Sequence, residues 1–149
     1  MKYFAYSQRE FIYKYVVMFS DTDQFQHMSF ANYLKLMFLS TDALLVSSCD
    51  SAFLDKYRVR LVDSSMQFKH QCVVGDNVLI KVNSTEIQES GFTLLYTFII
   101  ENTGRLVGLG RQSYVMLECE GMNSVRIPDQ VARLLDPIKV DKDNLLYKY

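Results

Sequence analysis

The order of hydrophobic patterns along the chain predicts an α+β domain in which one long helix packs on an extended antiparallel sheet. Three observations carry this expectation. Apolar residues alternate near the N-terminus and again in successive segments of the second half. Between those regions the apolar spacing lengthens to that of a helix. The chain has 149 residues, 49% of them hydrophobic, which favours one domain with a sizeable core.

Phe11, Tyr13, Tyr15, Val17 and Phe19 share one face of an extended segment and predict the first strand. Ser20-Asp21-Thr22-Asp23 ends it with short polar side chains, which favour turns and helix N-caps because their oxygens accept from free backbone N–H groups. Leu34, Met37, Phe38, Leu44 and Leu45 then recur at helical spacing, with Thr41 as a polar gap. They predict one well-buried helix from about Ser29 to Ser47. Residues 50–57 are expected to be irregular, followed by a strand from Val59 to Lys69. Val78, Ile80 and Val82 alternate, as do Phe92, Leu94, Tyr96, Phe98 and Ile100. Turns are expected at Glu89-Ser90-Gly91 and at Asn102-Thr103-Gly104, the second with good hairpin chemistry. Leu106 to Leu117 is the last long strand, where Gly108 and Gly110 mark a bulge or a close approach by another backbone. Pro128 to Leu135 is expected to form a short terminal helix. All six glycines lie at or after Gly75, and the prolines are Pro128 and Pro137, so the first half contains none of the strongest chain breakers. With no linker and no repeat, residues 1–149 read as a single domain with a core of about 11–118 and an extension over 119–149. A helix that is apolar over most of its surface needs a sheet curled around it.

The formal net charge of −1 lacks the basic footprint of a nucleic-acid binder. Lys139, Lys142 and Lys148 alternate with Asp141 and Asp143, a mixed solvated tail rather than a membrane-seeking patch. Cys49, Cys72 and Cys119 fit neither a disulfide framework nor a zinc signature, and reduced thiols in the cytoplasm are expected. The first residues, MKYFAYSQREF, have no apolar signal region, and no window approaches a membrane span.

Val17-Met18-Phe19-Ser20-Asp21-Thr22-Asp23, followed by Ala31-Asn32-Tyr33 at a helix start, resembles the 4-hydroxybenzoyl-CoA thioesterase family. Phe68 to Asp76, with Gly75-Asp76 ahead of a strand, looks like the segment entering that family's third strand, and the likeness spans roughly residues 11–118. The resemblance implies the hot-dog fold, a long helix wrapped by a curved antiparallel sheet, and hydrolysis of an acyl thioester of coenzyme A or an acyl carrier protein. It implies no cofactor and no metal. It also implies a homodimer or homotetramer, since a lone subunit leaves its sheet edge exposed. Asp23 matches the catalytic carboxylate and Asp21 the first carboxylate of the pair. The backbone amide at about Phe30 matches the group that polarises the carbonyl. The family usually has glycine where Gln26 stands, so a differently shaped loop is expected. Many relatives have His or Asn at the position of Phe30, and His27 matches a branch in which His follows the glycine.

The chemistry suits these residue types. A carboxylate can serve as general base or nucleophile, and a helix N-terminus offers free N–H groups to a developing oxyanion. Turn formation is the competing role for Asp23 and Asp21; with the resemblance, Asp23 reads as catalytic and Asp21 as loop structure. His27 could orient water or contact the carbonyl, or bond locally. Asn32 and Tyr33 read as packing and helix-start residues near the pocket, and Ser64 and Ser65 as lining from a partner subunit. Lys69, Arg105 and Arg111 are candidates for phosphate contacts. The rival readings are a hot-dog dehydratase of 3-hydroxyacyl thioesters and a binding protein without turnover.

Overall fold

The computed structural model describes residues 10–140; the charged tail from Asp141 onward lies outside them. The first strand, β1, is Phe11–Val16, with Phe11, Tyr13 and Tyr15 half-buried and Ile12, Lys14 and Val16 exposed, as period-two alternation requires. A 3-10 turn over Phe19–Asp21 follows, so the alternation stops short of Phe19, which is exposed. Helix α1 runs Phe30–Ser48. The segment expected to be irregular forms a short helix, α2, over Ser51–Lys56. Its cap is Asp50, whose carboxylate accepts the Phe53 N–H at 2.8 Å and satisfies a donor that helix geometry orphans. Four strands come next: β2 (Tyr57–Phe68), β3 (Asn77–Ile87), β4 (Gly91–Ile100) and β5 (Arg105–Glu118). Helix α3 (Asp129–Leu135) and a 3-10 turn (Asp136–Ile138) close the described chain.

The strands form one antiparallel sheet in the order β1-β3-β4-β5-β2, which leaves β1 and β2 at its edges. Three bulges interrupt the ladders, at Val62 in β2, Thr85 in β3 and Val107 in β5. Each adds a residue on one strand and increases the local bend and twist, which lets a five-stranded sheet curl. Within the curve, Tyr33, Leu36, Met37 and Leu44 of α1 pack with Val78, Ile80, Leu94, Tyr96, Phe98 and Tyr114 of the sheet.

The expected helical stripe divides between two faces. Met37, Leu44 and Leu45 are buried, but Leu34 and Phe38 are exposed and, with Phe30, form an outward apolar row one turn apart. Thr41 is not a gap in the stripe: it is fully inside the core. Strand β4 is buried along its whole length on both faces, so its alternation reports side-chain size rather than exposure.

Candidate active site

The link between β1 and α1 is a hairpin. Thr22 bridges Met28, the Asp23 N–H donates to the His27 carbonyl at 2.9 Å, and the Gln26 N–H donates to the Asp23 carbonyl at 2.9 Å. Gln24 and Phe25 make the turn and Gln26 follows with φ +62°, the pattern of a type I turn closed by a left-handed residue. Gln26 thus occupies the left-handed region, where a non-glycine residue is strained. Glutamine takes the positive φ that glycine adopts without cost, because the closing hydrogen bond demands it.

Asp23 stands at the first position of this turn. Its Oδ1 accepts the Phe25 N–H at 2.9 Å and the His27 N–H at 3.3 Å. The carboxylate is exposed, and its other oxygen has no hydrogen-bond partner among the described residues. The turn-forming role and an available oxygen thus coexist in one side chain. Asp21 is buried and wholly structural: its Oδ2 accepts the Tyr15 hydroxyl at 2.6 Å and the Met18 N–H at 2.8 Å. That bond to the carboxylate, aided by burial, pushes the Tyr15 phenol up to about 12.

The carbonyl of Asp21 ties the hairpin to the helix. It accepts the Ser29 N–H at 2.9 Å and Asn32 Nδ2 at 2.5 Å, and the same Nδ2 reaches Ser29 Oγ at 3.2 Å. Phe30 is the first residue of α1, where the backbone N–H has no intrahelical acceptor and the helix dipole is positive. His27 is half-buried and pairs through its backbone with Val73. Tyr33 is buried edge-on against the Phe68 ring (5.1 Å between centroids), and burial beside Cys72 raises its phenol above the ordinary range. Burial pushes the Cys72 thiol up to about 11, and burial likewise raises that of Cys49. All three cysteines are free thiols.

A cavity of about 150 Å³ opens beside the helix start, lined by Met28, Phe30, Tyr33, Phe68, Lys69, His70 and Gln71. Phe30 and Phe68 form its apolar wall, with ring centroids 4.8 Å apart. Its polar members lie on the segment leaving β2. The Val107 carbonyl, freed by the bulge in β5, accepts both the Lys69 N–H at 2.8 Å and the His70 N–H at 3.0 Å. The Cys72 carbonyl accepts the Met28 N–H at 2.8 Å, which joins this segment to the hairpin. His70 and Gln71 were not selected from sequence, because a polar run after a strand carries no periodic signal. Ser64 faces inward on β2 and accepts from Gln112 Nε2 at 3.1 Å, whereas its neighbour Ser65 is exposed. Ser64 lies four residues from Phe68, roughly 13 Å along the strand, and neither serine lines the cavity. Arg111 is exposed while Gly110 and Gln112 beside it are buried, and Arg105 opens β5. Of the three candidate phosphate contacts, only Lys69 lines the cavity.

A larger cavity, about 540 Å³, lies beside Leu44 and Ser47 of α1 and Arg133 of α3. Leu44 is roughly 21 Å along the helix from Phe30, too far for this volume to hold a group reacting at Asp23.

A long helix wrapped by a curved sheet, with a carboxylate-bearing hairpin at the helix N-terminus, defines a hot-dog domain. The sequence profile of the thioesterase-like superfamily matches residues 17–135, and the chain belongs to that family. Comparison with curated proteins finds no match. Among solved structures, the dynemicin thioesterase, described in terms of polyene binding, superposes with a TM-score of 0.82 at 19% identity, covering 89% of this chain and 99% of its own. A Staphylococcus aureus protein solved in complex with CoA gives 0.81 at 15% identity, over 95% of this chain and 94% of its own. A gentisyl-coenzyme A thioesterase gives 0.72 at 26% identity, over 84% and 98%. The resemblance to hot-dog thioesterases is borne out, and the family supports acyl thioester hydrolysis as the reaction class.

Proposed function

We propose that the protein hydrolyses an acyl-CoA or acyl-carrier-protein thioester, with Asp23 as the reacting carboxylate. The observation that carries this reading is the joint fixation of Asp23 and the helix start. The Asp21 carbonyl holds Ser29 and Asn32 while the hairpin holds Asp23 by Oδ1, leaving the second oxygen available. The thioester carbonyl lies toward the Phe30 N–H, which stabilises the negative charge that develops on oxygen. Asp23 removes a proton from the attacking water or attacks the carbonyl itself. The tetrahedral intermediate then expels the thiolate, leaving a free acid once any acyl-enzyme is hydrolysed. His27 borders the same hairpin and positions water or the carbonyl, and Lys69 and His70 meet the thiol-bearing arm at the cavity mouth. Asn32 and Tyr33 hold the helix start in place.

A second copy completes the assembly. Edge strand β2 has a ladder partner on one side only, and Phe30, Leu34 and Phe38 of α1 are exposed with Phe68 and Leu61 of β2. An edge of this length with apolar neighbours is a pairing surface, and a homodimer or homotetramer covers it; exposed Ser65 then reaches the partner's site, while Ser64 stays turned into its own domain. No helix among the described residues is long and apolar enough to cross a membrane, and the free thiols suit the cytoplasm.

The test is free-thiol release from short, long and aromatic acyl-CoAs by the native protein and Asp23→Asn. The reading requires hydrolysis of at least one thioester by the native form and a loss of about 10³-fold or more in Asp23→Asn, since the amide neither takes a proton nor attacks. Hydrolysis that survives the substitution removes Asp23 from the mechanism. Tight binding without thiol release favours a binding protein.

A further inference from the structure

Three inward-facing rows run side by side from the 150 Å³ cavity into the domain. On α1, Tyr33, Met37 and Thr41 follow at four-residue spacing on one face. On β5, Gly108, Gly110 and Gln112 alternate inward, paired in register with Phe68, Met66 and Ser64 of β2. Phe98 and Tyr96 of β4 pair with Gly108 and Gly110 from the other side. The rows therefore stack as layers: aromatic at the mouth, methionine next, polar last.

The middle layer is soft. β5 presents no side chain at Gly108 or Gly110, and a Cβ built on either runs into methionine. At Gly108 it meets the Met66 methyl and lies 2.6 Å from the Gln67 carbonyl; at Gly110 it meets Met37 Sδ and lies 3.3 Å from Met66 Sδ. The trough over the glycines is thus filled by the ends of two unbranched, rotatable side chains, which re-pack around irregular shapes. Met66 is only half-buried and lies on an edge strand.

The last layer is polar and fully enclosed. Thr41, Tyr96, Gln112 and Tyr114 are each at most 2% exposed. Thr41 Oγ1 is bonded to the Tyr96 hydroxyl, accepts the Tyr114 hydroxyl at 3.2 Å and reaches the Met37 carbonyl at 3.1 Å. Gln112 Oε1 accepts the Tyr96 hydroxyl at 3.3 Å and is also bonded to the Tyr114 hydroxyl. Two phenolic hydrogens thus serve three of these pairings, and the fourth, Thr41 with Tyr96, is donated by either hydroxyl. Each phenol has one hydrogen, so one phenol can turn to a new acceptor while Gln112 Oε1 still accepts from the other. Gln112 Nε2 spends one hydrogen on Ser64 Oγ, and its second has no acceptor among the described residues. Such a cluster adds little stability over apolar side chains of the same shape. What it adds is a pair of donors at the end of a displaceable trough.

We propose that the acyl chain of the substrate runs from the Phe30–Phe68 mouth over Gly108 and Gly110, displaces Met66 and ends against Thr41, Tyr96, Gln112 and Tyr114, so that the site selects chains carrying a hydroxyl or carbonyl oxygen near their distal end. The inference rests on the thioesterase reading above. Gly108 to Gln112 spans roughly 13 Å of strand, and an extended alkyl chain, with C–C bonds of about 1.5 Å at near-tetrahedral angles, advances about 1.25 Å per bond. The oxygen therefore sits about ten or eleven bonds from the thioester carbonyl.

The experiment compares kcat/KM of the full chain for ω-hydroxydecanoyl-CoA and decanoyl-CoA by thiol release. The native protein is expected to prefer the hydroxylated chain about tenfold, the size of one net hydrogen bond. Gln112→Met and Tyr96→Phe each lower that ratio toward one. Both substrates are read on one preparation, so the ratio does not depend on the fraction of folded protein. No native preference, or a preference that survives both substitutions, overturns the inference. If no thioester is cleaved, the thioesterase reading fails separately. Calorimetric titration with ω-hydroxydecanoic and decanoic acids then decides the site: a tenfold preference for the hydroxy acid upholds it, and equal or absent binding overturns it.

Discussion

Gln26 is held at φ +62° by the hydrogen bonds that close the hairpin, and its exposed side chain makes no hydrogen bond to any described residue. A non-glycine residue in the left-handed region costs about 1–2 kcal/mol. Gln26→Gly removes that strain but gives the unfolded chain more freedom, a loss of about 0.4–1 kcal/mol. The net expectation is a gain of about 0.5–1 kcal/mol, or roughly 1–4 °C in Tm for a domain of this size. Gln26→Ala keeps a Cβ at positive φ and leaves Tm near the native value. Met122 offers an independent replicate. It also sits at positive φ, +54°, after Gly121, on the far side of β5, so Met122→Gly gains a similar amount and the two effects add. The assay is thermal unfolding of the native protein, the three single variants and the Gln26→Gly, Met122→Gly double variant under one set of conditions. If Gln26→Gly lowers Tm, the strain argument is refuted; if Gln26→Ala lowers it as well, the glutamine stem contributes packing instead.

Further outcomes follow from the buried polar groups. Asp21→Ala strips the Tyr15 hydroxyl and the Met18 N–H of a charged acceptor, a loss of about 1.5–3 kcal/mol seen as a Tm drop of roughly 3–12 °C. Spectrophotometric titration of the same variant should show one tyrosine moving from about 12 toward its ordinary 10.0. Tyr15 and Cys72 both hold their protons more tightly in the folded state, so the stability they contribute is complete at neutral pH. It is lost as pH rises, from about 9 to 11 for Cys72 and from about 10 to 12 for Tyr15. A Tm that stays level across pH 9–12 contradicts this. Alkylation at pH 8 should modify Cys119 readily and leave buried Cys49 and Cys72 intact until the protein is denatured.

Strand and helix order was legible because each element here has one dominant period. Residues 78–82 and 92–100 alternate, and the run after Ser29 does not. α2 was missed although its cap, Asp50, was visible: six residues carry too little periodicity to outweigh an irregular reading. The exposure of Leu34 and Phe38 was not legible either, since a helix that is apolar on both its sheet-facing and its outward face has the same composition on each. At the site, the sequence pointed to Asp23, His27 and Phe30 because the motif is contiguous. Lys69, His70 and Gln71 join them through the Val107 carbonyl and the Cys72–Met28 bond, contacts between residues about forty positions apart that no local pattern encodes.

That bulge bears on how the motif tolerates change. From the Val107 carbonyl, an unbroken series of backbone bonds runs through Lys69 and His70, along the chain to Cys72, across to Met28 and, by the Thr22–Met28 and Asp23–His27 pairings, to Asp23. The Asp21 carbonyl joins the same series to Ser29, immediately before the Phe30 amide. Apart from the Asn32 amide and the Asp23 carboxylate, every bond in it lies between main-chain groups, so the relative placement of carboxylate and helix start does not depend on which side chains stand at positions 26 and 30. Glutamine can then replace a glycine at a cost of a kilocalorie or two rather than the loss of the loop. What must persist is a backbone that can close these bonds, and many sequences meet that requirement.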